Sequence, residues 1–163
     1  KSDFGQQLEE QQKLKAIYGM IPQKQLVRYY HEALRQKGVT AHLFLRRLEC
    51  RLDNIIYRLR MAPTIFAAQQ LVTHGHVLVD GKKVDRRSFE VKPNMVISLK
   101  PKAQALEVTK HSIENTGREV PGYLELDVAA FSGKLVSEPH LDQVPFPIPV
   151  NIAHICEHLA HTS

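Results

Sequence analysis

The sequence predicts an α+β protein, with a helical amino-terminal third leading into a unit of short helices and antiparallel strands. Two observations carry this prediction. Apolar residues from Phe4 to Leu59 recur at intervals of three and four, the period of a helix with one buried face. Asp80-Gly81 then separates Val77-Leu78-Val79 from Lys82-Lys83-Val84. Asp-Gly is a strong hairpin signal, because both central residues of such a turn need positive φ.

Each element has its own justification. Ser2 is placed to cap a first helix whose Phe4, Leu8, Gln11, Leu14 and Tyr18 share a face, before Gly19 and Pro22 interrupt it. A second helix carries Leu26, Tyr30, Ala33 and Leu34, with Gly38 where a terminator belongs. Thr40 caps a third segment in which Leu45, Leu48, Leu52, Ile55, Ile56 and Leu59 form one stripe, while Arg46, Arg47, Arg51 and Arg58 lie opposite. Pro63-Thr64 breaks the pattern and caps a short helix. His74-Gly75-His76 runs into the hairpin, where Val77, Val79 and Val84 can face a core while the cations stay outside. Beyond Leu99 the sequence predicts a helix around Leu106 to Asn115, a strand from Tyr123 to Leu126, and Gly133 before Val136. Pro139 to Pro149 holds four prolines and reads as a connector. A last short helix spans Asn151 to Leu159.

Composition narrows the class of partner. The 163 residues carry a net charge of +5, which speaks to association and not to fold. Residues 1 to 60 hold 12 Lys and Arg against 6 Asp and Glu, residues 61 to 100 hold 6 against 3, and residues 101 to 163 hold 4 against 8. A basic front and an acidic end suit a protein that faces a polyanion with one part and something else with the other. Cys50 and Cys156 stand alone without a C-x-x-C pair, which argues against a disulfide framework or a cysteine zinc site and for a reduced, cytosolic setting. No apolar run approaches the roughly twenty residues that span a membrane, and no signal peptide opens the chain.

Six segments in register carry a family resemblance: Lys13-Leu14-Lys15-Ala16-Ile17-Tyr18-Gly19, Arg28-Tyr29-Tyr30, Lys37-Gly38-Val39-Thr40, Arg51-Leu52-Asp53-Asn54, His74-Gly75-His76 and Lys92-Pro93. In order and spacing, from Ser2 to about Val136, they resemble the bacterial small-subunit ribosomal protein S4 family. The resemblance implies a helical domain at 1–50, completed by 150–163, and interrupted by an S4-type RNA-binding domain at 51–115. Residues 116–149 extend the α+β part and form the Pro-rich connector. It also implies a further amino-terminal segment of some tens of residues ahead of Lys1. The implied function is primary binding of small-subunit ribosomal RNA at a multi-helix junction of the 5′ domain, nucleating assembly. Protein S5 is the implied neighbour at a surface affecting decoding accuracy, and the protein's own messenger RNA is a target of some members. No cofactor or membrane is implied, and a monomer is expected when free of the cytoplasmic ribosome.

Folded RNA presents phosphates and 2′-hydroxyls across a shape, so its reader needs cations on rigid elements more than a catalytic pocket. The candidates on helices are Lys13, Lys15, Arg28, Arg35, Lys37, Arg46, Arg47, Arg51 and Arg58. Those in the hairpin-bearing unit are Thr64, Gln70, His74, His76, Lys82 and Arg86. Tyr18, Tyr29 and Tyr30 fit either stacking on a nucleotide or the core. The family often has arginines on the module's second helix, where this chain has Ile65 and Gln69. Two missing cations there would lower the salt slope by about one per lost phosphate contact.

Two enzymatic patterns weigh less. His154-Ile155-Cys156-Glu157-His158 fits H-x-x-E-H, yet only five residues follow, leaving no room for a further ligand and cleft. Arg51-Leu52-Asp53 resembles the R-L-D of pseudouridine synthases, some of which carry an S4-type module. Their aspartate lies in a large catalytic domain after the module, and a surface or capping aspartate that orients an arginine fits Asp53 better. The expectation is a structural RNA-binding protein without enzymatic activity. The alternatives are an accessory module of an RNA-modifying enzyme or a free regulatory RNA-binding protein.

Overall fold

The computed structural model describes residues 2 to 162. The chain divides into two compact units, Lys1–Leu48 with Pro145–Ser163, and Glu49–Val144.

The first unit is helical. Helix α1 (Asp3–Ile17) starts where Ser2 Oγ accepts a hydrogen bond from Gly5 N at 3.1 Å, satisfying one of the amide donors that a helix start leaves unpaired. It ends at Gly19 and Met20, whose φ values of 87° and 64° turn the chain left-handed. Helix α2 (Gln23–Arg35) buries Leu26, Tyr29, Tyr30 and Ala33. Leu34 was expected on that face but is 52% exposed. Leu26, Tyr29, Tyr30 and Ala33 occupy i, i+3, i+4 and i+7, and Leu34, at i+8, falls on the flank of that stripe and not at its centre. Helix α3 (Thr40–Glu49) contains Thr40 as its first residue and buries Phe44, Leu45 and Leu48. The final helix of this unit (Ile152–Thr162) packs on α1 and α2 through Ile152, Ile155, His158 and Leu159. Two polar ties reinforce it: Asn151 N donates to Glu10 Oε2 at 3.0 Å, and Lys13 Nζ donates to the Pro149 carbonyl at 3.0 Å.

The stripe from Thr40 to Leu59 is not one helix. Arg51 is extended, with ψ 139°, and forms an isolated antiparallel bridge with Glu90. Leu52 N then donates to the Phe89 carbonyl, and Asp53 N to that of Arg87. The loop before Val91 thus takes the amides that continuing α3 would have used, and α4 (Leu52–Arg58) starts afresh.

In the second unit α4 and α5 (Ile65–Thr73) pack together beside an antiparallel sheet. The strands are β1 (Val77–Val79), β2 (Lys82–Lys83), β3 (Val96–Leu99), β4 (Leu124–Asp127) and β5 (Ser132–Leu135), in the order β2-β1-β3-β5-β4. Asp80 and Gly81 have φ 48° and 84°, as the hairpin turn requires, and register Val79 opposite Lys82. Val77 and Val79 are buried and Val84 packs against the same core, alongside Leu52, Ile55, Ile56, Val72, Ile97 and Leu135. Short helices α6 (Pro101–Gln104) and α7 (Glu107–Glu114) follow β3. Of these, the four-residue α6 has no counterpart in the sequence reading. The proline-rich stretch holds a single 3-10 turn, Leu141–Gln143. Gly133 on β5 lies under Leu59: a Cβ there would sit 2.6 Å from both Leu59 methyl carbons, so the helix–sheet approach requires glycine.

Candidate RNA-binding surface

In the second unit the hairpin carries exposed cations. Lys82 and Lys83 occupy a two-residue edge strand, and the exposed Arg86 and Arg87 follow. An edge strand anchored on one side holds these charges on a rigid frame and leaves them in water. Thr64 caps α5, its hydroxyl accepting from Ala67 N at 3.0 Å. Gln70, His74 and His76 line one small groove with Met61, Pro63 and Leu106. The rings of His74 and His76 lie 6.3 Å apart. Burial holds His76 below the ordinary histidine range, and the positive fields of His74, Lys102 and Lys100 lower it further.

Lys83, Lys100 and Lys102 belong to the same patch and were missed as candidates. A Cβ at Gly75 would meet the Lys83 stem at 3.4 Å, and Lys100 N donates to the His76 carbonyl at 2.9 Å. Lys83 comes with the β1–β2 hairpin, whereas Lys100 and Lys102 are brought in by β1 pairing with β3, a contact the local sequence does not announce.

Two expected site residues are corrected. Arg51 and Arg58 do not present charge to solvent: they are 2% and 7% exposed. Arg51 Nε and NH2 donate to the two Asp53 carboxylate oxygens at 3.1 and 3.0 Å. Arg58 Nε donates to Glu49 Oε1 at 2.8 Å, and Tyr123 Oη donates to the same oxygen. Burial raises the Tyr123 hydroxyl pKa, and the Glu49 charge raises it further. Buried charges persist only when paired and hydrogen-bonded, so these arginines are internal ties. Asp53 orients an arginine, as expected, but from the interior and not from a helix surface. Ile65 and Gln69 are also buried. Gln69 Nε2 donates to Asp53 Oδ2 at 3.3 Å, and Arg87 NH1 approaches Gln69 Oε1 at 3.5 Å, which holds that guanidinium beside α5.

The first unit presents its cations differently. Arg35 and Lys37 are exposed at the end of α2. Arg28 is exposed beside Glu32, 3.9 Å away. Arg46 NH2 donates to Gln36 Oε1 at 2.9 Å. The half-buried Arg47 stacks its guanidinium 4.4 Å from the Tyr29 ring centroid, a cation–π contact. Lys13 is engaged by Glu10 at 2.6 Å as well as by Pro149. Lys15 is partly buried, and desolvation lowers its pKa. Tyr18, Tyr29 and Tyr30 are core residues.

The H-x-x-E-H pattern is not assembled as a metal site. His158 is buried, its Nδ1 3.1 Å from Gln7 Oε1 and its ring against Phe4. Among the described residues no group of three or more His, Cys, Asp or Glu side chains is placed to hold a metal ion.

Two family models match the chain: the ribosomal protein S4/S9 N-terminal domain over residues 1–49 and the S4 domain over residues 50–97. The small ribosomal subunit protein uS4 of Protochlamydia amoebophila (strain UWE25) is 58% identical over 163 residues, covering 100% of this chain and 79% of that protein. Its counterpart from Chlamydia muridarum (strain MoPn / Nigg) is 60% identical over 164 residues, covering 99% and 78%. That from Chlamydia pneumoniae is 52% identical over 164 residues, with the same coverage.

Proposed function

The chain belongs to the ribosomal protein S4 family, and from that premise we propose that it is a structural, non-enzymatic constituent of the small subunit of the cytoplasmic ribosome and a primary binder of small-subunit ribosomal RNA. The observation that carries the reading is the exposed cationic face of the S4 domain. There Lys82 and Lys83 ride on a hairpin whose turn, register and buried valines fix them in place, and Arg86 and Arg87 stand exposed in the loop that follows. Cations held in place before binding meet phosphates without a large ordering cost, and each phosphate neutralised releases counterions. His74, His76, Lys100 and Lys102 extend the face, and Arg35 and Lys37 supply exposed charge on the helical domain. A protein that binds the native junction better than its unfolded alternatives draws the RNA toward that arrangement. We place the target at the 5′-domain junction. Protein S5 is the proposed neighbour, with an effect on decoding accuracy, and the protein's own messenger is a second target of the same surface.

A titration across several salt concentrations tests this, using the 5′-domain junction RNA and a scrambled RNA of equal length. The expected result is tight binding to the junction that exceeds the control at physiological salt. Equal, steeply salt-dependent binding to both would reduce the surface to a generic polycation and overturn the junction assignment.

A further inference from the structure

We infer that the α5 face around Phe66 is a stacking seat for one unpaired nucleobase, with Arg87 at its rim for the adjoining phosphate. The inference rests on the RNA-binding reading above and adds a specific contact to it.

Helix α5 has no charged residue: its sequence is Ile65-Phe66-Ala67-Ala68-Gln69-Gln70-Leu71-Val72-Thr73. Ile65, Ala68, Leu71 and Val72 supply its share of the core, so Phe66 is not needed there and stands 56% exposed. A single exposed ring needs no occupant by itself. Its surroundings point to the kind of occupant. Phe66, Ala67, Gln69, Gln70, Thr73 and Arg87 line a wide, shallow depression. Small Ala67 leaves room beside the ring, while Gln70 offers an amide and Thr73 Oγ1, whose proton goes to the Gln69 carbonyl at 3.0 Å, an acceptor. Gln69 Oε1 lies 3.5 Å from Arg87 NH1 and holds that cation beside the depression. A protein partner's apolar side chain would find one aromatic ring bordered by polar groups and a cation. A nucleotide brings a flat π-face, polar edges and an anion, and matches all three. Aromatic stacking tolerates any base, so the seat contributes affinity without selecting sequence. Because α5 has no cation, the ring's share of binding does not depend on counterion release.

The test is fluorescence anisotropy with labelled 5′-domain junction RNA and the scrambled RNA, at four salt concentrations, on wild type, Phe66→Ala, Phe66→Tyr and Arg87→Ala. Phe66→Ala should weaken binding about tenfold with an unchanged salt slope, and Phe66→Tyr should stay within about twofold of wild type. Arg87→Ala should lower the slope by about one. The ring is exposed, so an unaltered melting midpoint for Phe66→Ala shows that folding is not the cause of the loss. Phe66→Ala binding within about twofold of wild type on both RNAs overturns the seat, as does a loss accompanied by a changed slope. If wild type fails to prefer the junction, the ribosomal target is wrong, yet the Phe66 comparison still decides the seat. Failure of wild type to bind either RNA overturns both.

Discussion

Arg58 and Arg86 carry the same charge and do opposite work, and the difference lies in what surrounds each guanidinium. Arg86 stands in water on the loop after the hairpin, whereas Arg58 is enclosed with Glu49, which also takes the hydroxyl of Tyr123. Replacing Arg58 with alanine strands the Glu49 carboxylate in the interior. The expected cost is about 3–5 kcal/mol of stability for residues 49–144, read as a lower denaturant midpoint. A change below about 1 kcal/mol would mean that the pair is not held as a buried tie. Period alone puts Arg51 and Arg58 opposite a leucine stripe, and so among the RNA-facing cations. For Arg58, what overrides the period is a partner nine residues back on another helix and a tyrosine 74 residues from that partner, neither of which leaves a local signal, while Arg51 is drawn inside with Asp53, two residues on. The exposure of Lys82 and Arg86 was legible for the converse reason, since a hairpin turn with adjacent cations is a local pattern. The tyrosines were open to two readings until packing decided them for the core.

At the scale of elements, turn and cap chemistry were legible and tertiary capture was not. Ser2, Thr64 and Asp80-Gly81 act locally, and each does in the fold what its residue type favours. The break at Cys50–Arg51 depends on carbonyls of Arg87 and Phe89, so the apolar stripe ran straight through it. Gly133 shows the same division. Its place before the Val136 region was visible, but the pressure for glycine comes from Leu59, just past α4 and 74 positions earlier, and from the Glu125 carbonyl on β4. Gly133→Ala must push Leu59 or β5 aside, and overpacking of this kind costs about 1–3 kcal/mol. Pairing the change with Leu59→Ala should recover part of that loss, because the second substitution vacates the clashing volume. Independent, additive losses in thermal melts of the two single variants and the double variant would show that the contact is not what excludes a side chain.

For the whole molecule, the helical unit is built from both ends of the sequence. Glu10 sits at that junction. Burial alone would raise its pKa, but the Lys13 ammonium and the Asn151 amide outweigh it and hold the carboxyl below its ordinary 4.5. A carboxyl depressed by folding contributes stability above its unfolded pKa and loses that contribution as pH falls through the folded value. Wild type should therefore lose melting temperature faster than Glu10→Gln as pH drops below about 4.5, and parallel curves would remove Glu10 from the account. The interrupted layout was legible from the family resemblance and the late helical segment. Its polar ties were not, since they join positions 141 and 136 residues apart. That separation also bears on how a nascent chain matures. During synthesis residues 49–144 emerge complete and can fold in a single episode, while α1 and α2 must wait for Ile152 onward before their apolar face is covered. Residues 152–162 thus act as the latch of the first unit: a chain interrupted before them carries a finished second unit tethered to open, aggregation-prone helices, a product suited to clearance by proteases.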